Sequence, residues 1–268
     1  MSYSRRSLLA VGAALTSAGL LPLRSARAAV AGQDIAYKDG AAELEGFLAV
    51  DGATTGKRPG ILVMHTRRGL GDFIKERTEA LAAMGYVAFA ADYFGKGVRP
   101  VADKDAQVES VKYRRDRALA RSRAQASLDR LRQHPLVDTS RIGVVGYCLG
   151  GMVALELARM GAPLSGTAVF HGSLDTPTPN DARNIKGRVL VMHGADDPVA
   201  NQEEVQAFIK EMRDAKVDFE LELYGGVVHG FTETKNGNDP SKGSAYNARA
   251  DKLSWASMQG FFHDVFPG

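Results

Sequence analysis

Hydrophobic and polar positions along this chain switch repeatedly between two rhythms. Short apolar runs at Ile61 to His65, Tyr86 to Ala91, Arg141 to Tyr147, Gly166 to His171, Arg188 to His193 and Asp218 to Tyr224 read as strands. Between them lie stretches of helical period: Asp72 to Met84, a long one from about Asp103 to Gln133, Leu149 to Met160, Gln202 to Ala215, and a closing helix from about Ala245 to Phe262. Ahead of this alternation, Asp34 to Tyr37 and Ala42 to Val50 form a predicted hairpin across Asp39-Gly40, whose glycine accepts the positive φ of a tight turn. Strands alternating with helices predict an α/β fold, a mostly parallel central sheet with helices on both faces. Ligands of such sheets gather at the carboxyl ends of the strands. Three turn-rich segments fall there: Thr66 to Gly71, Gly194 to Val199 and Gly225 to Phe231. The link from His171 to Arg188 is too short and Pro-rich to hold a large lid domain, so an open mouth is expected.

Residues 1–28 follow a different rule. Ser4-Arg5-Arg6-Ser7-Leu8-Leu9 leads into an Ala- and Gly-rich apolar run as far as Leu23, followed by Ala26-Arg27-Ala28. This is the layout of a twin-arginine export signal cleaved after Ala28. Pro22 and the shortness of the run argue against a spanning helix, so no stable membrane insertion is expected after cleavage. Residues 29–268 remain as one domain, in keeping with 268 residues and 44% hydrophobic content. The formal charge is +3, yet Arg5, Arg6, Arg24 and Arg27 belong to the signal; without those four, 30 basic residues face 31 acidic ones, a net charge of −1. Bulk charge therefore calls for neither a nucleic acid nor a membrane surface as partner. The expected location is periplasmic or secreted. The chain has a single cysteine, so no internal disulfide can form, and Cys148 must persist there as a free thiol.

That cysteine lies in Gly146-Tyr147-Cys148-Leu149-Gly150-Gly151, where a predicted strand hands over to a predicted helix. Small residues at Gly146 and Gly150 permit the sharp turn of a nucleophile elbow, which lifts the side chain between them above the sheet. The helix N-terminus then aims N–H groups at the sulfur and favours the thiolate, the form that attacks carbonyls. A lone cysteine is more often a buried structural residue. The glycines at elbow spacing weigh against that here, and no Gly-x-Ser-x-Gly competes elsewhere in the chain.

A cysteine nucleophile needs a base, and the base needs an orienting carboxylate. On an α/β-hydrolase sheet the chain order is nucleophile, acid, histidine, which Cys148, Asp197 and His229 satisfy. Asp197 directly precedes the proline turn of Gly194-Ala195-Asp196-Asp197-Pro198-Val199; its neighbour Asp196 is the reserve, and either residue can instead cap the following helix. Among six histidines, His229 alone combines order, loop and flanking glycines. His134 and His263 need no chemical explanation, while His65, His171 and His193 each close a strand, where they line the pocket or bond neighbouring loops. An oxyanion needs preorganised donors, expected from the backbone N–H of Leu149 and, in the loop after the Ile61 to His65 strand, of Arg67.

Together these residues resemble the dienelactone hydrolase family. The resemblance rests on Gly146 to Gly151, His193-Gly194-Ala195-Asp196-Asp197-Pro198, Tyr224-Gly225-Gly226, His229-Gly230-Phe231, Arg68-Gly69-Leu70 and Gly85-Tyr86-Val87-Ala88. It implies a carboxylic-ester or lactone hydrolase acting on small molecules through Cys148, Asp197 and His229, with no metal and no organic cofactor. Thr66, Arg68, His171 and Phe231 are the expected pocket residues. Two positions depart from the family. A glutamate that takes part in activating the cysteine commonly follows the third strand, where this chain has Thr66. An arginine that binds a substrate carboxylate stands four residues after the histidine in dienelactone hydrolase itself, where this chain has Glu233. The helix carrying Lys112, Arg114, Arg115, Arg117, Arg121 and Arg123 is a candidate substitute, although such a run is usually a solvated face. Dienelactone itself is disfavoured as the substrate.

Two other classes compete with a hydrolase. One is a non-catalytic exported protein that binds a ligand or senses oxidants through Cys148, a reading kept open by Thr66. The other is a peptidase on the same fold, disfavoured because nothing in the chain resembles a large gating domain.

Overall fold

A computed structural model describes residues 30–53 and 55–266. The expected export signal lies outside the described residues. The chain opens with β1 (Val30–Asp39) and β2 (Ala42–Asp51), antiparallel across Gly40, whose φ of 57° is the left-handed conformation the turn demands. Six more strands follow: β3 (Arg58–Met64), β4 (Val87–Ala91), β5 (Val137–Tyr147), β6 (Gly166–Phe170), β7 (Arg188–Gly194) and β8 (Phe219–Tyr224). The sheet has eight strands in the order β1-β2-β4-β3-β5-β6-β7-β8, with β4, β3 and β5 to β8 mutually parallel. This is the α/β architecture the alternation predicts, with no large lid domain among the described residues.

Period-two alternation sorts the strand side chains onto two cores. Leu62 and Met64 of β3 and Val144 of β5 face α3 (Arg117–Arg132) and α4 (Leu149–Arg159), through Ala124, Leu128, Met152 and Val153. Ile61, Val63 and Val145 face the other way, onto α1 (Asp72–Ala83) and α6 (Ala248–Val265), through Ile74, Leu81, Met258 and Phe262. Val205, Phe208 and Met212 of α5 (Gln202–Ala215) cover Val169, Val189 and Val191. Both faces are buried, so the inner strands read as unbroken apolar runs rather than as alternation.

One predicted helix is two. The pattern from Asp103 to Gln133 divides into α2 (Asp103–Arg115) and α3, with Asp116 between them at φ −109°, ψ 82°. The Asp116 carboxylate accepts from Leu119 N at 2.8 Å and caps α3. Aspartate competes with the helical backbone in this way, and the hydrophobic period alone does not register it. The basic run on these helices is not simply solvated. Arg117 pairs with Asp175 at 2.7 Å, Arg121 with Asp181 and the fully buried Glu156, and Arg123 with Asp39. Arg114 turns toward the strand ends, donating to Ser173 Oγ at 2.5 Å.

Loss of the Asp116 cap should be measurable. Asp116→Ala is expected to lower the free energy of unfolding by about 1 kcal/mol without changing the dependence on denaturant, as read from urea titration.

Candidate active site

The elbow between β5 and α4 is where strand and helix nearly collide. Cys148 adopts φ 55°, ψ −121°, a strained conformation for a residue with a side chain. The crossing is possible because its neighbours have no Cβ. A Cβ on Gly146 would lie 2.2 Å from the Gly150 carbonyl oxygen, and one on Gly150 would lie 2.4 Å from those of Met64 and His65. The turn aims Sγ outward at the carboxyl edge of the sheet, and Cys148 keeps 8% of its surface accessible.

Two loops bring partners to the sulfur. His229, in the loop after β8, places Nε2 3.1 Å from Cys148 Sγ and Nδ1 2.8 Å from Asp197 Oδ2. Asp197, in the turn after β7, uses its other oxygen to accept from Val199 N at 2.7 Å and Ala200 N at 3.1 Å, which fixes the carboxylate. Asp196 points to solvent, so the acid in contact with the histidine is Asp197. The two loops are tied to each other by Asp196 N donating to Val227 O at 3.0 Å. Their backbones approach so closely that a Cβ on Gly194 would sit 2.3 Å from that same oxygen.

Electrostatics follow from this row of three. Burial opposes charge on all of them, but mutual contact wins. Cys148 is held below the ordinary thiol range by the charge and hydrogen bond of His229 and by the Arg67 backbone N–H, against burial and the nearby Glu233. His229 is pushed up to about 10, because the Cys148 thiolate and the Asp197 carboxylate outweigh its desolvation. Asp197 is held low by His229 in turn. Contact therefore shifts this pair toward thiolate and imidazolium.

The remaining predicted residues divide. Thr66, Arg67 and Arg68 line a cavity of about 420 Å³ with Cys148 and His229. The Thr66 hydroxyl accepts from Arg68 N at 3.2 Å and its carbonyl from Gly69 N at 3.1 Å, so it shapes the tight loop that presents the Arg67 N–H to the sulfur. Both arginine side chains are held by Asp103 at the start of α2, at 2.9 and 2.6 Å. Leu149 is the first residue of α4, and its N–H is among those a helix leaves without an internal acceptor. His171 and Phe231, expected in the pocket, do not line this cavity; both are fully buried, His171 just after β6 and Phe231 within the histidine loop. Their strand-end and loop positions read equally well as pocket wall, and only packing separates the two.

Two lining residues complete the picture. Arg114 reaches the cavity from α2, and Glu233 from the histidine loop. Burial raises the Glu233 carboxyl, partly offset by His229, Arg67, Arg68 and Lys235. A larger groove of about 960 Å³, between the 3-10 turn at Pro179–Asn184 and α5, contains none of the residues in contact with Cys148. Among the described residues no cluster of histidine, cysteine and carboxylate side chains is arranged to hold a metal ion.

A strand-helix elbow carrying a sulfur, with acid and histidine following on later strands of an eight-stranded sheet, defines an α/β-hydrolase. The model of the dienelactone hydrolase family matches residues 44–266, and the chain belongs to that family. The chain is 39% identical to a solved dienelactone hydrolase-like promiscuous phosphotriesterase, P91, from metagenomic libraries, with a TM-score of 0.84 over 89% of this chain and 99% of that one. It is 27% identical to a putative carboxymethylenebutenolidase of Saccharolobus solfataricus, over 87% of this chain and 98% of the relative. It is 31% identical to an uncharacterized protein of Caenorhabditis elegans, over 54% and 92%. The protein is thus a hydrolase of the lactone and ester type.

The charge state of the sulfur can be read without any substrate. Thiolate is lost only as pH falls through the lowered value of Cys148, so alkylation by iodoacetamide should stay fast below the usual thiol range. His229→Asn removes the opposing cation and leaves burial to push the thiol up. Its alkylation near neutral pH should slow by roughly tenfold or more, read by mass spectrometry against pH.

Proposed function

We propose that this protein hydrolyses activated esters and lactones through a Cys148-His229-Asp197 triad and a thioester acyl-enzyme. The observation that carries this reading is the unbroken hydrogen-bond row from Asp197 Oδ2 through His229 to a strained, cavity-facing Cys148 Sγ. The thiolate attacks the carbonyl carbon, and the electron pair of the C=O bond moves to oxygen. Leu149 N–H and Arg67 N–H stabilise that oxyanion. The Arg67 N–H also favours the thiolate over the thiol, so attack shifts its stabilisation from a charge that is disappearing to one that is forming.

As the intermediate collapses, the imidazolium of His229 gives its proton to the departing alkoxide and the thioester remains. Water then attacks the thioester carbonyl while neutral His229 takes its proton. The Cys148 thiolate leaves, and the ion pair is restored with release of the acid. Asp197 holds the ring so that Nε2 faces the reaction and stabilises its charged form. Sulfur biases the choice of substrates, since a thiolate leaves more readily than an alkoxide and an amine leaves only once His229 has protonated its nitrogen. Enol lactones, aryl esters and thioesters are therefore favoured and amides disfavoured, which weighs against the peptidase reading. Glu233 disfavours substrates whose free carboxylate would sit beside it.

The phosphotriesterase relative favours a second, slower activity at this site. A phosphotriester also places developing negative charge on an oxygen and releases an activated phenol, so the same thiolate and donors suit it. The export signal read in residues 1–28 would place these reactions outside the cytoplasm.

Cys148→Ala should lower hydrolysis of a p-nitrophenyl ester by about three orders of magnitude or more, because the remaining donors bind without a nucleophile. The native protein should release a burst of one phenol per chain before steady turnover, seen by stopped-flow absorbance. Labelling of Cys148 with no subsequent turnover would instead favour a binder or sensor, and unchanged turnover in the alanine variant would remove the cysteine from the chemistry.

A further inference from the structure

Behind the reactive histidine stands a second one that the proposed reaction does not use. His171 follows the last residue of β6 and is fully buried. Its φ is 39°, one of three positive values on described non-glycine residues, with Cys148 and Lys216. Holding a β-substituted residue there costs free energy, and such strain persists only where surrounding contacts over-determine it. The backbone contacts are firm: His171 N donates to Met192 O at 2.9 Å, and the preceding residue, Phe170, accepts from Cys148 N at 3.1 Å. The elbow and His171 are therefore hung from adjoining rungs of the sheet.

The ring is aimed at the histidine loop. Its Nε2 lies 2.8 Å from Thr232 Oγ1, three residues beyond His229. Its centroid is 5.3 Å from the His229 ring at 70°, and 5.0 Å from the Phe231 ring at 79°. Nδ1 has no hydrogen-bond partner among the described residues. A buried N–H without an acceptor costs more than a bare lone pair, so the proton belongs on Nε2, which then donates to Thr232. Thr232 is otherwise held through its carbonyl by Arg77 at 3.2 Å.

We propose that His171 is a positioning residue, whose bond to Thr232 and edge contact with the His229 ring fix the histidine loop so that His229 spans Cys148 and Asp197. The assignment rests on reading His229 as the proton carrier. The loop between His229 and Thr232 contains Gly230 at φ 66° and is tied through its backbone to the following segment by the isolated bridge of His229 to Ser244 and by Asn247 N donating to Phe231 O at 3.0 Å, but it belongs to no strand or helix that would set the ring angle. The sheet does have a fixed geometry, and His171 transmits it. An uncharged ring is required, because His229 carries the positive charge of the ion pair. Burial and the neighbouring His229 both keep His171 neutral, well below the ordinary histidine range. The groups facing His229 are then Cys148, Asp197, Glu233 and this neutral imidazole. The groups facing His171 are His229, Asp197 and His193.

The test uses Thr232→Val, which keeps volume and removes the acceptor, beside His171→Phe, which keeps a ring and removes the donor. Each is measured for kcat/KM against pH with an aryl ester and for the His229 titration by NMR in the mature protein. Positioning predicts that loosening the row lets His229 fall from about 10 toward its ordinary value and lets Cys148 rise. The active pH window then narrows from both sides, and kcat falls by roughly tenfold with KM nearly constant, since displaced catalytic groups slow chemistry more than binding. Thr232→Val decides the matter if His171→Phe fails to fold. A folded Thr232→Val protein with an unchanged His229 titration and an unchanged pH profile would overturn the proposal. The NMR titration reads His229 whether or not the ester is turned over, so an inactive native protein would sink the triad reading while leaving this one separately decided.

Discussion

The close approach of strand β5 and helix α4 at Cys148 constrains everything around it. Carbonyl oxygens of Met64, His65 and Gly150 occupy the space where Cβ atoms would be, so only glycine fits at positions 146 and 150. In return the residue between them is forced to positive φ and its sulfur is held off the sheet. Its conformation is set before any ligand arrives, which is what a nucleophile requires. The strain is held in a backbone clamped by the parallel pairing of β3, β5 and β6 in the interior of the sheet.

On that fixed point the electrostatics depend on mutual contact rather than on exposure. Burial alone would disfavour charge on each member of the Asp197-His229-Cys148 row, and contact with the next shifts each toward its charged form. The row is therefore cooperative: loosening one bond changes the ionisation of the others. Loop geometry accordingly matters as much as residue identity. Thr66 closes the β3 loop that brings in the Arg67 N–H, the Asp196 N–H ties the acid loop to the histidine loop, and His171 braces the histidine loop from β6.

The site is also unevenly charged, with Arg67, Arg68 and Arg114 on one side and Glu233 on the other. The three guanidinium groups already have acidic partners, Asp103 for the first two and Asp175 at 3.8 Å for the third. Glu233 has cations in electrostatic reach, but its carboxyl is raised by burial. A cavity so arranged differs from one built to clamp a substrate carboxylate beside the histidine loop.

Much of this was legible in residue order. The period of apolar positions marked the six later strands and most helices, and the glycines around Cys148 marked the elbow, because both are local consequences of backbone geometry. The helix expected from Asp103 to Gln133 was not legible as two, since a capping carboxylate at Asp116 leaves the hydrophobic period intact. Only the proline turn favoured Asp197 over its reserve, Asp196, along the chain, and His171 and Phe231 both read as pocket candidates. The sequence by itself determined the chain order of Cys148, Asp197 and His229 and the turn that presents each, because those follow from short-range geometry. Only the tertiary structure decided the contact between Asp197 and His229, the burial of His171 behind the cavity wall, and the direction in which each charge is shifted. Those outcomes depend on angstrom-scale approaches between segments tens of residues apart, fixed only when both faces of the sheet are packed.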